Sequence, residues 1–374
     1  MYDDTQNVNV MKKIFQFIVI FILTISCSIS KKTDKELNII IDYNVNLFHF
    51  IDHLSRWSEY TGSDALKFYE KYFELNSTDN EMLNKYVTAR DILCWEEEIN
   101  LFNWSYNGFK INQETASEYT ELKIVIDYFV NRKNDKYSLE DILKNEYSKL
   151  LAIEPQIREY SSEIEKIFSE IEPWLTIWTP EPDYSEYPIF ICFSHSDNST
   201  HGGANGNGVY SEFMVNDKQD GVRIGFSIIT HELTHKVTDI MNFLKDFLRN
   251  DNSYTEKAQR FLKTNDLTKN ELIKIFERVD TLGFGNPEVK VFEEINVYFI
   301  APVFIEKMNE KQIENEVEKY RARGNREFER VWYGVSLFKK EYENMRNQNI
   351  NRDDFVWKLI EIFYENIYFE NYKS

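Results

Sequence analysis

The stretch that decides the fold and chemistry of this chain lies at residues 228–239 and reads Ile228-Ile229-Thr230-His231-Glu232-Leu233-Thr234-His235-Lys236-Val237-Thr238-Asp239. Its apolar residues return every three or four positions, and residues 222–250 contain no proline, so the pattern predicts a buried amphipathic helix. His231 and His235 are four residues apart and therefore lie on one face of that helix. Two imidazoles at this spacing can bind one zinc ion, and Glu232 can then reach a water molecule beside it.

The alternative interpretation is an amphipathic helix whose two histidines are incidental. Only six histidines occur in the chain, so a chance H-E-x-x-H pattern is improbable. Buried imidazole pairs also need partners, and zinc is the usual one. A second pair at the same spacing, His49 and His53, lacks the intervening glutamate and sits among Phe48, Phe50 and Leu54. A packed helix end is the simpler interpretation of that second pair.

A catalytic zinc ion needs a third protein ligand, and the place of this ligand distinguishes the classes of zinc peptidase. The metzincin pattern requires glycine at 238 and histidine at 241, where this chain has Thr238 and Met241. Residues 231–239 instead resemble the thermolysin-type helix of the gluzincins, whose third ligand is a glutamate on a following helix. The glutamate nearest the thermolysin spacing is Glu256, but Lys257 adjoins it and its context reads as surface.

A second candidate for the third ligand lies in the apolar segment 291–301, which contains the adjacent carboxylates Glu293 and Glu294. Carboxylates in an apolar helix are costly unless a cation meets them. The segment resembles the second metal helix of gluzincins such as bacterial collagenases, and aligning it on Tyr298 and Phe299 implies that Glu293 is the ligand. Glu294 is the alternative, since Val297 and Ala301 beneath it would let two helices approach closely. Without a metal, both glutamates would belong to the solvated stripe of an amphipathic helix.

The resemblance implies a zinc-dependent peptidase of gluzincin type, with His231, His235 and Glu293 holding Zn²⁺. Glu232 is then the general base, which takes a proton from water and passes it to the leaving amine. Asp239, four residues beyond His235, is predicted to hold that imidazole in place by a hydrogen bond. The oxyanion donor stays open between three side chains, those of His201, Tyr298 and Tyr333.

The N-terminal residues predict export and anchoring. Residues 11–27 combine a basic start, a short apolar run and a cysteine, which is the layout of a secretory signal. The run resembles a bacterial lipoprotein signal, in which Cys27 becomes the lipidated first residue, followed by a polar tether at 28–37. We therefore expect an exported lipoprotein on the periplasmic or outer face of the cell envelope, held at the membrane only through the lipid on Cys27. An ordinary cleaved signal without lipid is the alternative.

The charge of the chain restricts its partners. With 44 Lys and Arg against 63 Asp and Glu, the formal net charge is −19, which argues against nucleic acid and anionic membrane surfaces as partners. A peptide or protein substrate is the expected partner. The rival interpretation is a non-catalytic surface lipoprotein that binds glycan or protein through its many aromatic residues. An intact Glu232 argues against that rival, because a structural zinc site needs no general base.

The domain organisation follows from a change of composition. Residues 38–172 read as a helical region, and prolines cluster at 173, 180, 182 and 188. Residues 188–374 then read as a zincin-like catalytic domain, with short strand patterns at 189–193 and 209–215 ahead of the metal helix. The glycine-rich segment 201–208 between them borders either a substrate-binding edge or a simple hairpin. The predicted fold class is α+β and predominantly helical, with a small antiparallel sheet packed on the metal helix.

Overall fold

The computed structural model describes residues 36–57, 64–93, 98–111, 117–196, 200–205, 208–216, 220–277, 287–348 and 351–368. The predicted signal peptide, Cys27 and the tether up to residue 35 lie outside these ranges. Within the described ranges, every helix is too short or too polar to span a lipid bilayer. Residues Leu37–Ser374 belong to one compact unit, and the following description concerns that unit.

In its described residues, the region predicted to be helical contains one short strand followed by seven α-helices. Strand β1 is Asn38–Ile40, and Asp42 caps the next helix by accepting hydrogen bonds from the backbone N–H groups of Asn44 and Val45. The helices are α1 Tyr43–Ser55, α2 Asp64–Glu70, α3 Ser77–Leu93, α4 Glu98–Tyr106, α5 Ser117–Val130, α6 Leu139–Ala152 and α7 Glu154–Trp178. This half of the chain is therefore helical, as its apolar periodicity indicates.

The sheet is mixed, and the prediction of an antiparallel sheet was wrong. Strands β2 Pro188–Phe193, β3 Gly202–Asn205 and β4 Gly208–Phe213 join β1 in the order β1-β2-β4-β3. The pairs β1–β2 and β2–β4 are parallel, and only β3–β4 is antiparallel. The described residues between β1 and β2 form seven α-helices, which is a connection long enough for parallel pairing. Strand β3 follows β2 along the chain but lies beyond β4, at the edge of the sheet. The β3–β4 hairpin then places β4 between them, parallel to β2.

The second half of the unit is built around the predicted metal helix, α8 Asp220–Thr238. It is followed by further α-helices, with a 3-10 turn at Asp251–Ser253 and a π-helical turn at Ala301–Ile305. These helices are α9 Ile240–Arg249, α10 Glu256–Thr264, α11 Lys269–Glu277, α12 Pro287–Tyr298, α13 Glu310–Ala322, α14 Arg326–Gln348 and α15 Arg352–Asn366. The domain is thus predominantly helical with a small sheet, as the predicted fold class requires.

Helices α1 and α8 lie on opposite faces of β4. Ser211 donates a hydrogen bond from Oγ to the carbonyl oxygen of Gly225 in α8 at 3.0 Å, and the ring of Phe213 packs against Phe226. Glu212, between Ser211 and Phe213, faces the other way, because successive side chains in a strand alternate. It meets His49 of α1. One strand therefore supports two separate groups of polar side chains.

Helix α12 lies close to α14 because of one glycine. A methyl group added at Gly334 would lie 2.6 Å from Cγ1 of Ile295, well inside normal contact distance. Any larger residue at 334 would therefore displace α12 or force Ile295 to move. This contact helps to set the position of α12, which carries Glu293 and Glu294.

Candidate metal centre

The first candidate metal centre lies where α8 faces α12. The buried side of α8 carries Thr230, Thr234 and Thr238, whose hydroxyl groups each donate to the carbonyl oxygen four residues earlier at 2.6–2.8 Å. These threonines are thus satisfied inside the core and leave the adjacent side of the helix for other chemistry. That side presents His231 and His235, which are partly exposed.

The possible metal-ligand atoms of the two histidines and Glu294 lie close together. The Nε2 atoms of His231 and His235 are 3.3 Å apart. Glu294 places Oε2 3.6 Å from Nε2 of His231, and Oε1 3.8 Å from Nε2 of His235. Ligand atoms bound at about 2.0–2.2 Å around a tetrahedral zinc ion are about 3.3–3.6 Å from one another. This His-His-Glu triad can therefore hold a metal ion with little rearrangement.

Glu293 contacts the other side of the His235 ring. Its Oε1 atom lies 3.1 Å from Nδ1 of His235. An ionised carboxylate only accepts hydrogen bonds, so Nδ1 of His235 donates to Glu293, and Nε2 is the nitrogen that can bind a metal ion once it has released its own proton. Burial alone lowers the pKa of His235, but Glu293 and the neighbouring carboxylates outweigh burial and raise it to about 9. Glu293 thus orients a candidate ligand.

Asp239 does not take the position expected for it from the sequence. Helix α8 ends at Thr238, and Asp239 has a left-handed backbone with φ 39°. Its side chain is exposed and accepts a hydrogen bond from Asn242 at 3.0 Å. The break in the helix moves Asp239 away from the face that carries His235. The imidazole of His235 instead donates its hydrogen bond to Glu293, on a different helix.

Glu232 has the electrostatic character of a proton acceptor that works near neutral pH. Burial raises the pKa of Glu232 to about 7, while the nearby His235 opposes that rise and Glu294 adds to it. A carboxylate tuned in this way can both take and release a proton near pH 7. Burial, together with the neighbouring His235, lowers the pKa of His231 well below its usual range. This imidazole is therefore neutral and can offer a lone pair to a metal ion.

Among the three candidate oxyanion donors, the structure brings Tyr298 to the centre. Its ring packs edge-on against that of His231, with 4.5 Å between the ring centroids. Burial and the charge of Glu294 raise the pKa of Tyr298, so its hydroxyl keeps its proton. His201 instead contacts the second group of polar side chains, since its Nδ1 atom lies 3.2 Å from Oε2 of Glu212. The alternative ligand Glu256 is exposed in the first turn of α10.

A second His-His-Glu triad lies on the opposite face of β4 and consists of His49, His53 and Glu212. The two histidines are buried in α1, as expected of a packed helix, but Glu212 was not among the predicted site residues. A signal for it existed. Glu212 is a carboxylate in the middle of an apolar strand, which is the same argument that singled out Glu293 and Glu294 in their helix.

A scan against protein-family models and searches of curated proteins and of solved structures found no match to this chain.

Proposed function

We propose that this chain is a zinc-dependent peptidase whose metal ligands are His231, His235 and Glu294. The observation that supports the proposal most strongly is the convergence of the two Nε2 atoms and the Glu294 carboxylate at separations close to those of a tetrahedral zinc site. The four side chains at this centre, including Glu293, keep 13–21% of their surface exposed. Solvent and a substrate can therefore reach the centre, as a catalytic site requires.

The proposal reverses the order of preference between the two adjacent glutamates. The collagenase-like alignment implied Glu293 as ligand and left Glu294 as the alternative. Glu294 faces both Nε2 atoms, whereas Glu293 faces Nδ1 of His235. A carboxylate on the far nitrogen of a ligating imidazole fixes the tautomer of that ring and raises its basicity. Both glutamates therefore have a role, and the roles are exchanged relative to the alignment.

The reaction we propose is hydrolysis of a peptide bond. A zinc ion at this centre would lower the pKa of a water molecule to about 7 and polarise the scissile carbonyl. Glu232, next to His231 on the helix, takes a proton from the attacking water and delivers it to the leaving amine. Tyr298 keeps its hydroxyl proton and can donate a hydrogen bond to the developing oxyanion.

The edge of the sheet supports a peptide as the substrate. Strand β3 is an edge strand of the sheet, and it packs on α8. A side chain at Gly202 would lie 2.7 Å from the carbonyl oxygen of Tyr210 and would also collide with Ile228, so only glycine lets β3 lie this close to the helix. Ile228 is three residues before His231. An extended peptide that paired with β3 would thus run alongside the metal helix.

The proposal predicts hydrolysis that depends on zinc at this centre. The zinc-loaded protein should cleave a mixture of unrelated peptides, cleavage should stop after chelation and return when zinc is added, and mass spectrometry of the products would record it. The control is the double variant His231→Ala/His235→Ala, which should stay inactive at every zinc concentration because it lacks two of the three ligands. Absence of cleavage by the zinc-loaded protein, or cleavage by the double variant, would overturn the proposed function.

A further inference from the structure

We propose that the protein holds a second, structural metal ion of the zinc type, bound by His49, His53, Glu212 and His195 on the face of the sheet opposite α8. No residue of this second centre belongs to the first one. The inference therefore stands independently of the proposed peptidase activity.

The second centre brings together donors from distant parts of the chain. Nε2 of His49 lies 2.8 Å from Oε1 of Glu212, and Nδ1 of His53 lies 3.6 Å from the same oxygen. All three ligand atoms are within 4.8 Å of one another. The two histidines are one turn apart on α1, while Glu212 comes near the end of β4. Ligand sites commonly lie at the carboxyl ends of parallel strands such as β2 and β4.

One oxygen of Glu212, Oε1, lies against the two histidines of α1, and His201 holds the other. Its other oxygen, Oε2, lies 3.0 Å from the backbone nitrogen of His201 and 3.2 Å from Nδ1 of the same residue. Burial alone would raise the pKa of Glu212, but hydrogen bonds from His201 and His49 outweigh burial and keep it well below its usual range. The carboxylate is thus ionised. His201 holds this candidate ligand by hydrogen bonds, just as Glu293 holds His235 in the first centre.

His195 is the observation that points to a missing partner. Its ring stacks on that of His49 at 5.7 Å between centroids and lies 6.4 Å from that of His53. Both of its ring nitrogens are buried, and neither has a hydrogen-bond partner in the described part of the chain. Leaving buried polar atoms unpaired is destabilising. A metal ion among these rings would supply the partner that one of these nitrogens lacks.

Protonation of the cluster is the competing explanation, and it accounts for fewer of the contacts. A charged His201 can balance Glu212, because its hydrogen bond with Glu212 raises its pKa. Both ring nitrogens of His195 lack a hydrogen-bond partner in the described part of the chain, and a proton on His201 does not satisfy them. A cation bound between the rings satisfies one of them.

The donors also select the kind of ion and its role. Three imidazoles and one carboxylate suit zinc and other late first-row divalent ions, whereas Mg²⁺ and Ca²⁺ require oxygen ligands. The side chains of His49 and Glu212 are each only 2% exposed, and that of His53 is 6% exposed. A centre so closed leaves no open position for a substrate, which is typical of a structural site. It would tie α1 to β4, the strand that supports α8 from the other side.

The first test counts zinc in a protein whose first centre has been removed. The His231→Ala/His235→Ala double variant, as the full chain dialysed against buffered zinc, should retain about one zinc ion per chain where the unsubstituted protein retains about two. X-ray absorption at the zinc edge should show nitrogen and oxygen neighbours of imidazole and carboxylate type. A zinc-free double variant would overturn the inference. If the proposed peptidase site were wrong instead, both proteins would retain the same single ion.

The second test removes one ligand of the second centre on that same background. Adding His53→Gln or Glu212→Gln should abolish zinc binding and remove the rise in melting temperature that zinc produces. The matched control is Ser105→Ala, a buried residue whose hydroxyl donates to the carbonyl oxygen of Phe102 in its own helix. The control should keep both the ion and the zinc-dependent rise. Full zinc retention in a folded His53→Gln or Glu212→Gln variant would contradict the assignment, and the absorption spectrum of the double variant decides the question if neither folds.

Discussion

Replacing Glu232 by glutamine is expected to lower kcat for peptide hydrolysis by roughly 10²–10⁴-fold while leaving the zinc content unchanged. Glutamine has nearly the same shape as glutamate but cannot accept the proton of the attacking water. The metal ligands remain intact, because Glu232 does not belong to the triad of His231, His235 and Glu294. The measurement is a comparison of kcat for one cleaved peptide, with zinc counted in the same samples.

Glu256→Gln is the matched control for that experiment. Glu256 is exposed in the first turn of α10, and the same chemical change there should alter neither kcat nor zinc content. Near-normal turnover in Glu232→Gln would show that another group takes the proton. Loss of zinc in that variant would mean that Glu232 helps to hold the ion, and the division of roles proposed for this helix would be incorrect.

Removing Glu294 should have the largest effect on the metal. Glu294→Ala deletes one of three ligands and is expected to release zinc from the first centre even in mild chelators. Glu293→Ala leaves all three ligands but frees the His235 ring, and it should weaken zinc binding by only about 10–100-fold. Competition with chelators of graded affinity measures both effects, and the second zinc ion, bound elsewhere, serves as an internal reference in each sample.

The opposite order of effects has a definite meaning. If Glu293→Ala releases zinc and Glu294→Ala weakens binding only modestly, α12 is rotated by about one residue relative to the described packing. In that case the collagenase-like alignment gave the correct ligand. If both variants keep their zinc and Glu256→Ala does not, the thermolysin-like spacing was correct.

The contrast between the two halves of the first centre shows what a sequence can predict. The sequence was enough to place His231 and His235 together, because helix geometry alone puts residues four apart on one face. The sequence could not choose the proposed third ligand, because neighbouring residues in a helix differ by about 100° and either can face a partner. The choice depends on how α12 is rotated against α8. That rotation is set by packing such as Ile295 against Gly334, which no local pattern reveals.

The sheet and the second centre were harder to predict for a related reason. Glu212 lies 163 residues from His49 in sequence, and only the tertiary fold brings them together. The strand patterns at 189–193 and 209–215 located β2 and β4, but their relative direction depends on how the chain crosses between them. Asp239 failed as an orienting residue because α8 ends one residue before it. In each case the residue or strand could be recognised from its local sequence, but the residue or strand that it contacts is determined by the tertiary fold.

A crystal of the zinc-loaded protein, measured on both sides of the zinc absorption edge, tests the central claim most directly. The account predicts an anomalous difference peak between the Nε2 atoms of His231 and His235 and the carboxylate of Glu294, with Glu293 hydrogen-bonded to Nδ1 of His235. A peak on the Glu293 side, or no peak between these two helices, would contradict it.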